Sequence, residues 1–454
     1  MKIIIVGCDK TGSTIVELLT KDGDHDISVI DIIKSKITRA VERFDVSGFV
    51  GNGASYDTLR KAGAQNADLL IACTDNDEVN ILCCILAKQL GIEKTAILNN
   101  QEEYYEQILY LKERGDIDFF INPDRESATV VEDMLKFPSA LEIQYFANNR
   151  LELIDVILPE DSKLVGATIA DKFGKLYPNV KICAIDRGNT VLIPNGNVVL
   201  EAGDRITIGS NDSGIMHFLK DTNMYVNKVK SVMILGGGPA AFYLAKNAIN
   251  VGIDVTIIES DIERCKFLSE ELPKATIIYG SDNDYELMRN EGLTEVDAFV
   301  AFTHDNEKNI IASLYASNKG VPKIITSVDE MNLFSVFKEI ELGSVVSPNI
   351  VAGTAFLQYV KGLQNAVEMG SKLNAVYGIA NSAAFVYEFQ INETYKGDGT
   401  TLKDLKLKDN TIIAMIARGK EIIIPRGNDF ITGGDKVIVV TMYPGINGMN
   451  EVLE

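Results

Sequence analysis

Residues 231–260 read SVMILGGGPAAFYLAKNAINVGIDVTIIES. An apolar run stops at three glycines, a helical period follows, and a second apolar run ends in an acid. Gly236, Gly238 and Ala241 fit the pattern G-x-G-x-x-G/A, and Glu259 lies 23 residues past Gly236 (259 − 236). Each part has a physical task. Gly236 permits a tight turn, Gly238 carries no Cβ to block a pyrophosphate, and Ala241 lets the helix pack close to the strand. The helix N-terminus offers free N–H groups to phosphate, and Glu259 can accept bonds from ribose hydroxyls. Strand, turn, helix, strand and acid together predict a nucleotide crevice.

The remaining chain must be compatible with that crevice. Its 454 residues predict two or more domains. A net charge of −20 opposes nucleic-acid binding, which needs a basic stripe, and opposes adsorption to an anionic membrane. No apolar run approaches a membrane span, and MKIIIVG enters a strand without a signal peptide, so the expected compartment is the cytoplasm. The six cysteines include no C-x-x-C and are expected to be reduced and buried. Three isolated histidines predict no metal site.

Lys2–Gly7 is an apolar run that stops at glycine, as a central parallel strand does. A helical period over Thr11–Thr20 follows, then a strand at Ile27–Ile30 closed by Asp31, 24 residues past Gly7 (31 − 7). Helices are predicted near Lys34–Phe44, Tyr56–Ala62, Asp77–Leu90 and Arg125–Leu135, with strands ending at Val50 and covering Asp68–Cys73, Lys94–Leu98 and Asp118–Ile121. Such alternation implies a doubly wound parallel sheet with right-handed crossovers. From Ala140 to Asp221 shorter strands separated by Gly and Asn turns predict a small α+β domain.

The pattern then repeats. Gly7 recurs as Gly236, Gly51 as Gly280, Asp68 as Asp297, Thr74 as Thr303 and Asn80 as Asn309, each 229 residues on (236 − 7). In the smaller domain Arg187-Gly188, Pro194 and Gly203-Asp204 recur 231 residues on (418 − 187). The expected organisation is a Rossmann-like domain at 1–137, a small α+β domain at 138–221, and second copies at 229–362 and 363–454.

The motifs ACTDNDEVN (Ala72–Asn80) and AFTHDNEKN (Ala301–Asn309), the glycine turns and the tandem order resemble the regulator of conductance of potassium (RCK) domain. Two tandem copies resemble the TrkA family, the peripheral regulatory subunits of Trk-type potassium uptake systems. The resemblance covers essentially the whole chain. It implies NAD(H) or ATP/ADP as ligand and no chemistry of the protein's own. It also implies an integral-membrane potassium transporter or channel subunit as partner, self-association into a ring as homodimer or homotetramer, and a place at the inner face of the cell membrane.

The two glycine loops are unequal. Gly7-Cys8-Asp9-Lys10-Thr11-Gly12 has Asp9 where the family carries its middle glycine. Two unit charges 4 Å apart repel by about 1 kcal/mol in water and about 4 kcal/mol at an effective dielectric near 20. Lys10 or a bound cation is the expected offset. Asp31 matches the ribose acid and can also cap the next helix. In Gly236-Gly237-Gly238-Pro239-Ala240-Ala241 the pattern is intact, and Pro239 suits a first helical turn. The acid at Glu259 favours a free 2′-hydroxyl over a 2′-phosphate. Arg264 reads as a solvated helix residue, within reach of phosphate. Asn52, Gly53 and Ala54, with Ser281 and Asp282, follow the third strands. Cys73 and Thr74, with Phe302, Thr303 and His304, follow the fourth strands, at the same sheet edge. Asp75, Asp77, Glu78, Asp305 and Glu307 read as caps of the next helices. Ile81–Leu90 and Val351–Leu363 are apolar enough for either core packing or a subunit seam.

No catalytic set is visible: no paired His and acid, nucleophile elbow or metal cluster. An NAD-dependent oxidoreductase remains the alternative from another class, and an RCK-type sensor for another cation transporter the alternative within this one.

Overall fold

Short apolar runs such as KIIIV and SVMIL are buried on both faces, so they form parallel strands covered by helices on either side. The computed structural model describes all residues except 24, 148–149, 174–175, 189, 330–342, 364–369 and 381–382. Strands β1 (Lys2–Val6), β2 (Asp26–Asp31), β3 (Ser47–Val50), β4 (Leu69–Ala72), β5 (Lys94–Leu98) and β6 (Phe119–Ile121) make one parallel sheet in the order β3-β2-β1-β4-β5-β6. The strand order reverses beside β1, so a ligand crevice opens there at the carboxyl ends.

The following segment forms β7 (Glu142–Phe146), β8 (Leu151–Ile157), β9 (Lys181–Arg187), β10 (Thr190–Leu192) and β11 (Arg205–Ser210), an antiparallel sheet ordered β10-β9-β11-β8-β7. The edge strand β7 was not predicted; its EIQYF has no clean alternation. The second copy supplies β12 (Ser231–Leu235), β13 (Asp254–Glu259), β14 (Thr276–Tyr279), β15 (Ala298–Ala301), β16 (Lys323–Ser327) and β17 (Ser344–Val346), ordered β14-β13-β12-β15-β16-β17. A last antiparallel sheet holds β18 (Ser371–Ile379), β19 (Ala384–Ile391), β20 (Thr411–Arg418), β21 (Glu421–Ile423) and β22 (Lys436–Thr441).

Contacts divide the chain into two compact units. One is Met1–Leu135 with Val229–Leu357, and the other is Lys136–Lys228 with Gln358–Glu454. The duplicated copies therefore pair like with like. In the first unit each half's last helix packs on the other half. Gly353, in the helix Pro348–Leu363, lies so close to Leu18 that an added Cβ would meet its Cδ1 at 2.8 Å. Phe356 meets Phe119 edge-on at 5.5 Å. Reciprocally, Val131 and Leu135 of the helix Pro123–Lys136 share a core with Leu244 and Ala248. In the second unit Leu153 and Cys183 share a core with Met415 and Ile438. Arg187 grips Asp204 at 2.7 and 2.8 Å, and its counterpart Arg418 grips Asp435 at 2.9 and 2.8 Å, which is what the 231-residue repeat preserves.

Candidate functional site

In the second half, Gly236 leaves β12 at φ +94°, a left-handed conformation that favours glycine, and an added Cβ there would meet the Phe302 carbonyl oxygen at 2.8 Å. Gly238 differs. The nearest atom to a Cβ there is His304 Nε2 at 3.7 Å, so this position faces open space. Pro239 starts the helix Pro239–Asn250, whose N-terminus has no side-chain cap, and Ala241 is fully buried beneath it.

A cavity of about 630 Å³ opens over this loop. Its walls include Gly236, Gly237, Gly238, Pro239, Glu259, Asp282, Phe302, Thr303 and His304, all expected at the site. Ala240, Ala241 and Ser281 do not line it. Ala240 and Ala241 belong to the core, and the Ser281 Oγ accepts from Asn283 N–H at 3.3 Å within its turn. Glu259 accepts from Gly237 N–H at 2.6 Å with one oxygen and from Asp261 N–H at 2.7 Å with the other. The second oxygen also accepts from Ser260 Oγ at 3.4 Å, while the first retains a lone pair for a further donor.

Two cations complete the cavity, and neither is a solvated bystander. Arg264 Nε donates to the Gly237 carbonyl at 2.6 Å, and its guanidinium stacks 4.6 Å from the Phe267 ring centre. This corrects the solvated-face expectation for Arg264. Burial pulls its pKa below the ordinary guanidinium value, with Glu259 opposing. Lys308 binds Asp282 at 2.8 Å, and that carboxylate holds its pKa above the ordinary amine value. Lys308 was not predicted, because its partner lies 26 residues away on another loop.

The threonines and asparagines of the two nine-residue motifs have a shared structural use. Thr303 Oγ1 donates to Asn309 Oδ1 at 2.6 Å, and Asn309 Nδ2 donates to the carbonyls of Thr303 at 2.9 Å and Ser327 at 3.0 Å. Thr74, Asn80 and Leu98 repeat this latch at 2.6, 2.8 and 3.2 Å. The helix caps are Asn76, bonded to Val79 N–H at 2.7 Å, and Asp305, bonded to Lys308 N–H at 3.0 Å. Asp77 is not a cap. It is fully buried and accepts from Gln101 N–H at 2.8 Å and Asn100 N–H at 3.0 Å, tying β5's exit to the helix; burial raises its pKa despite these bonds.

The first half keeps the loop but fills it differently. Gly7 has φ +103°, and an added Cβ on Gly12 would sit 2.2 Å from the Gly7 carbonyl oxygen. Asp31 accepts from Cys8 N–H at 2.9 Å and Ile33 N–H at 2.7 Å; the cap of the next helix is Ile33, with no side-chain bond, not Asp31. Asp9 is paired with Lys36, a counter-charge the sequence did not single out. Burial opposes the charge of Lys36, yet Asp9, Asp31 and Asp75 raise its pKa. Asp75 is itself raised, by burial and then by Asp9. The cavity beside this loop, about 640 Å³, takes in Cys8, Asp9 and Lys10 of the expected residues. Gly7, Thr11, Gly12, Asp31, Asn52, Gly53, Ala54, Cys73 and Thr74 do not line it. Thr11 Oγ1 donates to Asn349 Oδ1 at 2.6 Å, Asn52 Oδ1 closes its own turn on Ala54 N–H at 2.9 Å, and Gly53 sits against Val6. Cys73 is fully buried with its thiol 3.5 Å from the Gly7 carbonyl, and burial raises its pKa. All six cysteines are free and buried.

The duplicated architecture has matching family models. That of the TrkA-N domain fits residues 3–123 and 232–348, and that of the TrkA-C domain fits 153–222 and 386–443. The chain belongs to the TrkA family. The Trk system potassium uptake protein TrkA of Haemophilus influenzae is 30% identical over 97% of this chain and 95% of its own. A TrkA homolog of Archaeoglobus fulgidus is 30% identical over 100% of both chains. Among solved structures, the GsuK channel covers 97% of this chain and 76% of its own at 15% identity and a TM-score of 0.62. A GsuK channel bound to NAD gives the same coverage at 14% identity and 0.61. These two likenesses establish the fold.

Proposed function

We propose that this chain is a nucleotide-binding regulatory subunit that controls a potassium uptake transporter or channel through ligand-dependent conformational change. The relatives are named as Trk potassium uptake proteins. One observation carries the ligand part: the second glycine loop, the ribose acid Glu259 and the cations Arg264 and Lys308 share the walls of a single cavity of about 630 Å³. The open face at Gly238 and the uncapped helix start suit a pyrophosphate, supplied by NAD(H) or ATP/ADP. The nucleotide supplies charge and shape, not reactivity. Backbone N–H groups and Arg264 hold its phosphates, and Glu259 accepts from its ribose. No domain is assigned a catalytic role.

Regulation follows from differential binding. A ligand shifts a conformational equilibrium only by its difference in affinity for the two states, typically about 1–3 kcal/mol per coupled site. Tyr243, on the helix that starts at the second loop, donates to Glu102 of the first half and lies under Arg125, 5.5 Å from its ring centre. Movement at the loop is thereby passed to the other half. Ring assembly beneath the membrane partner is the second element of the proposal. Leu82 at 45% and Ile311 at 52% exposure project from equivalent helices, Asp77–Gln89 and Asn306–Asn318, as a repeated seam would. No helix among the described residues is long and apolar enough to cross a membrane.

The test is complementation of a potassium-uptake-deficient strain, with co-purification of the membrane partner. Wild type should restore uptake, and Gly238→Asp should lose nucleotide control of it. Hydride transfer from NADH to an acceptor, abolished by Glu259→Ala, would replace the regulator with an oxidoreductase.

A further inference from the structure

The helices that follow the two glycine loops pack against their neighbours in different ways. Strand registers set the correspondence. Lys2 pairs with Asp26 and Ser231 with Asp254, so β1 maps onto β12 at 229 residues (231 − 2) and β2 onto β13 at 228 (254 − 26). Ser13 therefore corresponds to Phe242, and Arg39 to Phe267. In the second half those two rings meet at 5.6 Å, Lys246 covers Phe242 at 5.8 Å, and Arg264 covers Phe267 at 4.6 Å. Aromatic rings fill the groove between the helices Pro239–Asn250 and Ile262–Glu271. In the first half a hydroxyl and a guanidinium stand in their place, and the groove between Lys10–Asp22 and Lys34–Arg43 is an open cavity of about 640 Å³.

The open groove has a charged wall. Lys36, Arg39 and Arg43, spaced three and four apart, occupy one helix face, and Lys10 faces them from the other helix. The wall also carries the acids Asp9, Glu17, Glu42 and Asp329; Lys36 neutralises Asp9, and Arg43 and Lys21, each at 2.9 Å, neutralise Glu17. Arg39 uses only Nε, bonded to the carbonyl of Ser35 in its own helix at 3.4 Å, and forms no ion pair among the described residues. Among the described residues the aromatic side chain in the wall is Phe44, and Arg43 covers one face of its ring at 5.0 Å, where a nucleobase would stack.

We propose that this groove is a ligand site of the first half, separate from the second half's crevice, for a small multiply charged phosphoryl anion lacking a base. Arg39 supplies the free fork, and Lys36 and Arg43 reach the anion by exchanging their carboxylates Asp9 and Glu17 for it. Lys36 links the groove to the loop. An anion that draws on Lys36 competes with Asp9, so its binding changes the charge presented at the first glycine loop. The proposal stands whether or not the second crevice takes a dinucleotide.

Isothermal titration of inorganic pyrophosphate into the full chain tests it. Wild type should bind saturably. Arg39→Gln, a surface change that leaves the fold intact, should weaken binding about tenfold or more. Ser13→Phe with Arg39→Phe, which copies the second half's plug, should abolish it in the Gly238→Asp background, with thermal unfolding as the check on folding. In Gly238→Asp, whose carboxylate closes the second crevice to pyrophosphate, the groove's binding should persist. Pyrophosphate binding that is absent from wild type, insensitive to both groove variants, or lost in Gly238→Asp overturns the proposal.

Discussion

The two Rossmann halves share a strand order, a latch and a glycine turn, yet they expose opposite chemistry at the same point. Over the second loop, Gly238 leaves a cavity edged by Arg264 and Lys308. Over the first, Asp9 stands in that position and is bound to Lys36. Lys36 and Arg264 are equivalent residues, both 228 apart by the β2–β13 register, and both turn back to the loop. One neutralises a carboxylate that a ligand's phosphate would have to face; the other fixes a carbonyl and stays available to a phosphate. A duplicated fold can thus keep its scaffold and divide its ligands by one residue and its counter-charge.

The largest expected effect comes from a difference far from either loop. Lys323 is 4% exposed, donates to Ser344 Oγ at 2.9 Å, and burial alone lowers its pKa to about 7. Its counterpart Lys94 is partly exposed and pairs with Asp118 at 3.1 Å. Because the folded pKa of Lys323 lies below the unfolded one, the unfolded chain binds more protons between about pH 7 and 10.5. Stability therefore rises with pH across that window. Lys323→Met should flatten that rise and add on the order of 4 kcal/mol below pH 7, read from denaturation midpoints against pH. An unchanged slope would mean that the amine is solvated.

Gly12→Ala should cost about 3 kcal/mol, since its Cβ would strike a backbone carbonyl at 2.2 Å, whereas Ala241→Gly in the second half should cost under about 1 kcal/mol. Equal costs would mean that the two helices sit at the same distance from their loops. Asn80→Ala and Asn309→Ala should each cost about 2 kcal/mol, because each leaves a buried carbonyl without its donor. Unequal losses would show that one latch also serves ligand binding. Asp75→Asn should gain only a few tenths of a kcal/mol after solvent screening, and only above the ordinary carboxylate range. Its folded pKa is raised by burial and Asp9, so wild type loses stability as pH climbs through that window.

Much of this was legible because it is local. Apolar strands, left-handed glycines and an acid at a set distance are sequence-near features, and the 229-residue repeat exposed the duplication without any contact information. The second crevice was readable for the same reason, down to His304. What escaped depends on residues that meet only in three dimensions: Lys36 with Asp9, Lys308 with Asp282, Arg264 with the Gly237 carbonyl. The capping pattern misplaced Asp77, because a buried acid serving a strand exit looks like an exposed one serving a helix start. Asn52–Ala54 resembled a ligand turn, but Gly53 is glycine because Val6 leaves no room. The groove beside the first loop was invisible until Ser13 and Arg39 could be set against Phe242 and Phe267.

Calorimetric titration of NAD, NADH, ATP and ADP into wild type, Gly238→Asp and Asp9→Gly bears most directly on the inequality of the two crevices. Gly238→Asp is a clean probe, since a Cβ there meets no protein atom closer than 3.7 Å. Its carboxylate should weaken the tightest ligand by up to about a thousandfold, from roughly 4 kcal/mol of repulsion at close range. Asp9→Gly should leave that binding intact and add a second site. Full binding by Gly238→Asp, with no site gained in Asp9→Gly, would contradict the account.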